Sequence, residues 1–274
     1  MNLNDMRHAF NRALKYTFSP SKTYLVFAVL AMSGLLAVFF RGLASHANLW
    51  ASLSLLFVPL FIAAGILLSV GILLIRIYHD EIKGKPVQYK DVLSKSWELV
   101  IGASYFSLPI ILAYLLLWML LGVFMMLRAI PGIGEFFGAI LSFAPFLINF
   151  LMLVLAVLNF ALLFFVAPIL ALNGMNRHLV TEVLTKRWNY DIFSNLFLAV
   201  IALLPLLVVL SLLILSAVIT GSMCVGCDNP YLTVMEWFFV MIPFTALLSP
   251  AVIFFFNFAA ESHVLLMREV RDTQ

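Results

Sequence analysis

The side chains able to do chemistry in this 274-residue chain are few, and they fall in short clusters. Cys224 and Cys227 form the run CVGC. Tyr78, His79, Asp80 and Glu81 set a histidine beside two carboxylates, and Glu261, Ser262 and His263 make a similar group near the other end. A CxxC pair can bind metal or exchange disulfides, and a histidine with carboxylates can ligate metal or move protons. Each reading meets an obstacle. Structural zinc takes four ligands, and His46 is the sole further His or Cys on the same side of the topology argued below. A catalytic redox pair lacks a thioredoxin-like βαβ context, so a local disulfide or free thiols remain open for Cys224 and Cys227. Neighbouring positions on a helix do not face one point, so both histidine groups read as solvated helix ends. Neither GxSxG nor HExxH occurs, and Gly132-Ile133-Gly134 follows no strand, which makes it a turn rather than a phosphate cradle. No catalytic residue, metal ligand or cofactor site is therefore assigned, no cofactor is expected, and the chain does not read as an enzyme.

The elements that hold these groups are set by composition. The chain is 64% hydrophobic and 11% charged, with a mean hydropathy of +1.11. Soluble domains carry about 25% charged residues, so this chain has too little polar surface to cover a core in water. It reads as an all-α polytopic membrane protein and a single membrane domain. Six apolar segments can be drawn, at 23–40, 50–75, 99–127, 148–172, 192–219 and 237–260. The first 22 residues are polar, with neither an apolar h-region nor a small-residue cleavage site, so the first apolar run is expected to be a retained span. With a cytoplasmic N-terminus, fourteen of the sixteen Lys and Arg fall inside, and Arg41 and Arg128 fall outside. Cationic loops resist translocation, so both termini are expected in the cytoplasm and the protein in the inner membrane. Ten anions share that face with the fourteen cations, and no basic stripe for nucleic acid results.

One window strains the six-span reading. Residues 136–176 hold no ionisable side chain over 41 positions, about 60 Å of continuous helix. Two spans there would carry Arg177, Lys186 and Arg187 outside, against the charge rule. A break is expected instead: a turn at Pro131, Gly132 and Gly134, then a short interfacial or re-entrant helix ending near Pro145.

Two hexamers, VLSKSW at 92–97 and VLTKRW at 183–188, stand before apolar runs. Tyr89, Val92, Leu93 and Trp97 are spaced i, i+3, i+4, i+8, and so are Val180, Val183, Leu184 and Trp188. Phe10, Ala13, Leu14 and Phe18 repeat the spacing, and Lys15, Lys95 and Lys186 lie close by. Each set lines one face of a helix. The simplest reading is three pseudo-repeats, about 6–80, 86–175 and 176–270, each a cytoplasmic amphipathic helix followed by a transmembrane hairpin. An apolar face ending in an aromatic ring suits the headgroup interface.

The segments GKPVQYKDVLSKSW and FFVAPILALNGMNRHLVTEVLTKRW, with Gly84-Lys85-Pro86-Val87 and Phe165-Val166-Ala167-Pro168 inside them, give the chain its family likeness. From about Met6 to Arg268 it resembles the bacterial six-helix membrane domain that occurs alone in uncharacterised inner-membrane proteins and fused to some glycerophosphodiester phosphodiesterases. In the fused relatives the hydrolytic residues belong to a separate soluble domain, which has no counterpart here, so the resemblance implies no phosphodiesterase activity.

The middles of the spans carry no ionisable side chain, which weighs against a proton-coupled carrier. They do carry Pro59, Pro109, Pro145, Pro168, Pro205, Pro243 and Pro250, read as kinks that shape packing. Asn149, Asn159 and Asn257 read as interhelical glue, and Gly65 with Ser69 as a small-residue contact. The expected function is a non-enzymatic scaffold or accessory protein engaging membrane lipids or other membrane proteins, itself included. The alternative is a transporter or channel for a neutral or lipid-like substrate, using proline-broken helices.

Overall fold

The computed structural model describes residues 3–44, 49–85, 89–140, 143–174, 177–221 and 230–272. Among them there are nine helices and no strand. They are α1 (Leu3–Lys15), α2 (Pro20–Ala44), α3 (Leu49–Ile82), α4 (Tyr89–Arg128), α5 (Ile133–Ile140), α6 (Phe143–Asn173), α7 (Arg177–Tyr190), α8 (Ile192–Ile219) and α9 (Pro230–Asp272). Six are long and apolar enough to cross a bilayer, over Pro20–Ala44, Phe57–Ile82, Ser96–Arg128, Phe143–Asn173, Ile192–Ile219 and Val234–Glu269. The chain is all-helical and is built as a multi-pass membrane protein.

Three helices make the centre. α3, α6 and α9 pack on one another, and the stretches 68–75, 163–171 and 251–263 are buried without interruption. A helix apolar on every side cannot sit at a water boundary, and burial on every side puts these stretches in protein rather than lipid. α2 packs along α3 and α9, α4 along α3 and α6, and α8 along α9. The outer faces of α4 and α8 are broadly exposed, with Leu112, Leu116, Leu204 and Leu207 among the uncovered side chains. Apolar exposure of that kind is stable in hydrocarbon and costly in water. Where α3 meets α9, a Cβ on Gly71 would lie 2.1 Å from the ring of Phe256, so the glycine is what lets those backbones approach.

α1 and α7 are short helices that stand before a span; α1 ends at Lys15, so Phe18, the aromatic member of its expected face, lies beyond it. α1 docks on α9, burying Ala9 and Ala13 and setting Phe10 edge-on against Phe254 and Phe258, at 5.0 and 6.0 Å between ring centroids. The predicted middle member differs: residues 89–98 are the first turns of α4 and run into the span without a break. The reason is local. Pro20 opens α2, and Asp191 caps α8 by accepting from the Ser194 amide, so both other boundaries have a start signal. Ser96 is a cap-type residue too, but its hydroxyl accepts from Arg76 at 2.8 Å and the helix runs on through it.

The charge-free window is also divided differently from expectation. α5 ends at Ile140, before Pro145, and Pro145 instead lies in the first turn of α6, where a missing amide costs nothing. The other six prolines sit inside helices that continue through them. His46, Pro86, Val87, Cys224 and Cys227 lie outside the described residues, as do the side chains of Tyr89, Leu93 and Lys95.

Candidate functional site

Polar groups collect at the end where α3, α6 and α9 finish. Lys22, in the first turn of α2, has no exposed side-chain surface; its Nζ donates to Glu81 Oε2 at 2.5 Å and to the Tyr16 carbonyl at 2.9 Å. Arg76 of α3 donates from Nε to the Ala171 carbonyl at 3.1 Å, and from a terminal nitrogen to Ser96 Oγ at 2.8 Å. Glu261 of α9 accepts from the Tyr78 hydroxyl and from Arg12 of α1, both at 2.6 Å. These contacts join α1, α2, α3, α4, α6 and α9, and they place the starts of α2 and α4 beside the ends of α3, α6 and α9. A lysine without exposed surface is tolerable only when paired and hydrogen-bonded, and here it is both.

The solvated helix ends expected for Tyr78–Glu81 and Glu261–His263 are therefore in part a misreading. Tyr78, Glu261, Ser262 and His263 are buried, with Glu261 at 6% and His263 at 4% exposure. α9 carries Glu261–His263 into the enclosed central stack, and α3 buries Tyr78 there, while His79, Asp80 and Glu81 at the end of α3 stay partly exposed, as expected of a helix end. Of the two groups, the structure brings Tyr78 and Glu261 together. The charges acting on His79 are Asp80, Lys83 and Lys85, all from its own segment. The charge acting on His263 is Arg187. Both oxygens of Glu261 are occupied by Tyr78 and Arg12. Among the described residues no three His, Cys, Asp or Glu converge as metal ligands. Between α1 and the last turns of α9 lies a cavity of about 360 Å³, whose charged lining is Asp5, His8, Arg12, Glu261, Arg268 and Glu269.

Arg187 belongs to a second polar group, which its assignment to the cytoplasmic loop cations missed. Val180, Val183, Leu184 and Arg187 follow i, i+3, i+4, i+7, so the guanidinium rides on the apolar stripe of α7. That register was visible in the sequence. Arg187 is 1% exposed, and its Nε donates to Asn195 Oδ1 at 2.6 Å. Asn195 Nδ2 returns bonds to the carbonyls of Arg187 and Asp191, each at 2.7 Å. The guanidinium lies 5.4 Å from the Phe164 ring and 5.0 Å from the Phe165 ring. Both terminal nitrogens are buried without a hydrogen-bond partner, as are Ser262 Oγ and His263 Nδ1. Burial pushes the Arg187 guanidinium down to about 9, which leaves it charged at neutral pH.

The asparagines divide. Asn149 bonds back to the Pro145 carbonyl in its own helix, at 2.8 Å. Asn257 Nδ2 reaches the Ala13 carbonyl at 3.3 Å and helps seat α1. Asn159 is buried with its Nδ2 unpartnered. A Cβ on Gly65 would lie 3.3 Å from Ser107, so the glycine leaves room for α3 against α4.

No family model, no curated protein and no solved structure matches the chain.

Proposed function

We propose that this protein is a non-enzymatic scaffold or accessory protein of the inner membrane, with both termini in the cytoplasm, that engages membrane lipids or other membrane proteins. The observation that carries the reading is the use made of the ionisable side chains. Lys22, Arg76, Glu81 and Glu261, with Tyr78 and Ser96, are spent on struts between helices. A general acid or base has to reach a substrate proton, and a carboxylate with both oxygens engaged inside a bundle is poorly placed for that.

Three aromatic side chains complement the struts at the same end. Phe18 and Trp188 stand just before the starts of α2 and α8, Trp97 lies in the third turn of α4, and all three are exposed, Phe18 at 74%. Rings at that depth suit the headgroup layer or the flank of a partner helix. The inner set α3, α6 and α9, each preceded by an outer helix, supports the reading of three pseudo-repeats and the likeness to the six-helix membrane domain.

The test is reconstitution together with gentle extraction. Purified protein should hold a lipid or a protein partner through size exclusion in mild detergent, and should turn over nothing in sealed vesicles. Saturable uptake of a solute by the isolated protein overturns the proposal.

A further inference from the structure

The Arg187 group is not explained by the struts. Every other buried cation described above has an anion or a set of carbonyl and hydroxyl acceptors. Arg187 has one acceptor, Asn195 Oδ1, for five N–H groups. Two acids lie within five residues of it, and neither turns toward it. Asp191 caps α8 through the Ser194 amide at 3.1 Å and the Ser194 hydroxyl. Glu182 pairs with Lys186 at 2.8 Å. Burial alone acts on the guanidinium, with no carboxylate near enough to matter. The faces of Phe164 and Phe165 offset part of the cost of an enclosed charge, but they accept no directed hydrogen bond from its terminal nitrogens. An uncompensated buried charge is strongly destabilising, so the arrangement is complete only with an anion.

We propose that Arg187 is the seat of a phosphate-type anion, supplied by the headgroup of an anionic phospholipid. The inference rests on the lipid-engaging reading above and gives it a site. Two forked N–H pairs suit the oxygens of a phosphodiester, which guanidinium binds in bidentate fashion. His263 Nδ1 and Ser262 Oγ, unpartnered on the neighbouring α9, are further groups able to bond the same oxygens. α8 packs along α9 and against α7 but not along α6, so α7 itself closes the side where Arg187 lies. An apolar hollow of about 420 Å³ runs along the exposed face of α8 from Val200 through Leu204 and Leu207 to Leu212. Val200 lies five residues beyond Asn195, about 7.5 Å along the helix but about 140° around it, so the hollow faces outward while Asn195 and Arg187 face inward.

Native mass spectrometry of the full chain, extracted in mild detergent from a membrane containing phosphatidylglycerol and phosphatidylethanolamine, tests the site. The wild type should retain one phosphatidylglycerol per chain. Arg187→Leu should lose it, and Lys186→Gln, which removes the adjacent exposed charge, should keep it. Equal retention by Arg187→Leu overturns the inference and leaves the lipid-engaging reading standing. Release of every lipid and partner by the wild type overturns both. A second measurement needs no variant: delipidated wild type should gain thermal stability with phosphatidylglycerol and not with phosphatidylcholine. A matching gain with inorganic phosphate supports the anion seat and names free phosphate as its source. No gain with either overturns it, even if Arg187→Leu fails to fold.

Discussion

Arg12 and Glu261 form an unequal pair. The arginine side chain is half exposed and the carboxylate is almost enclosed. Removing Glu261 leaves a cation that water can reach, whereas removing Arg12 leaves a buried carboxylate held by Tyr78 alone. Arg12→Met should therefore cost about 3 kcal/mol, and Glu261→Gln, whose amide oxygen still accepts, about 1 kcal/mol. Thermal unfolding in one detergent reads both, and the reverse order refutes the burial argument. Asp191 offers a pH-dependent counterpart. The hydroxyl and amide of Ser194 hold its carboxyl below the ordinary value of 3.8. A carboxyl with a lowered folded value adds stability above its unfolded value and loses it as pH falls through the folded one. The cap should thus be strongest at neutral pH and weaken in strong acid, where the protonated carboxyl still accepts through its carbonyl oxygen. Asp191→Ala should cost about 1 kcal/mol at neutral pH and less in strong acid, while Asp191→Asn should keep most of the cap and lose the acid dependence. Unfolding temperatures followed against pH decide it.

Helices were the most legible part of the sequence, because long uncharged runs with few starts and stops leave little choice of structure. α1 and α7 were readable for the same reason in reverse: Pro20 and Asp191 mark where the next helix begins. The fusion of residues 89–98 into α4 was not read, because Ser94 and Ser96 look like cap residues and the sequence does not show that the Ser96 hydroxyl is taken by Arg76. Contacts between helices were harder. On a uniformly apolar run the inward face has no compositional contrast, so the sequence does not show that Gly71 meets Phe256 while Gly122 meets nothing. Placing Glu261 and His263 required knowing that α9 is central. Gly71 gives a test at this scale. A methyl group there must displace a ring that is 1% exposed, so Gly71→Ala should destabilise the α3–α9 contact by about 1–3 kcal/mol. Adding Phe256→Leu should restore part of the loss, and a simple sum of two losses would show that the positions do not share one packing site.

The molecule as a whole is asymmetric along its long axis. One end carries the struts, the docked α1, the α7 plug with Arg187, and the last turns of α9. The other carries the end of α2, where Arg41 lies 5.5 Å from the Trp237 ring of α9, and the end of α4 with Arg128 and α5. Such a division is what a membrane potential and anionic inner leaflet would select, since cationic segments stay where they are made. It also lets two lysines report on topology and packing together. Lys186 is half exposed at the strut-bearing end, and Lys22 at the same end has no exposed side chain. A membrane-impermeant amine reagent added to intact cells should modify neither. In inverted inner-membrane vesicles Lys186 should react, while Lys22 should remain protected until detergent and heat unfold the bundle. Labelling of Lys186 from the outside of intact cells would reverse the assigned orientation. Rapid labelling of Lys22 in folded vesicles would instead show that α2 does not close over Glu81 as described.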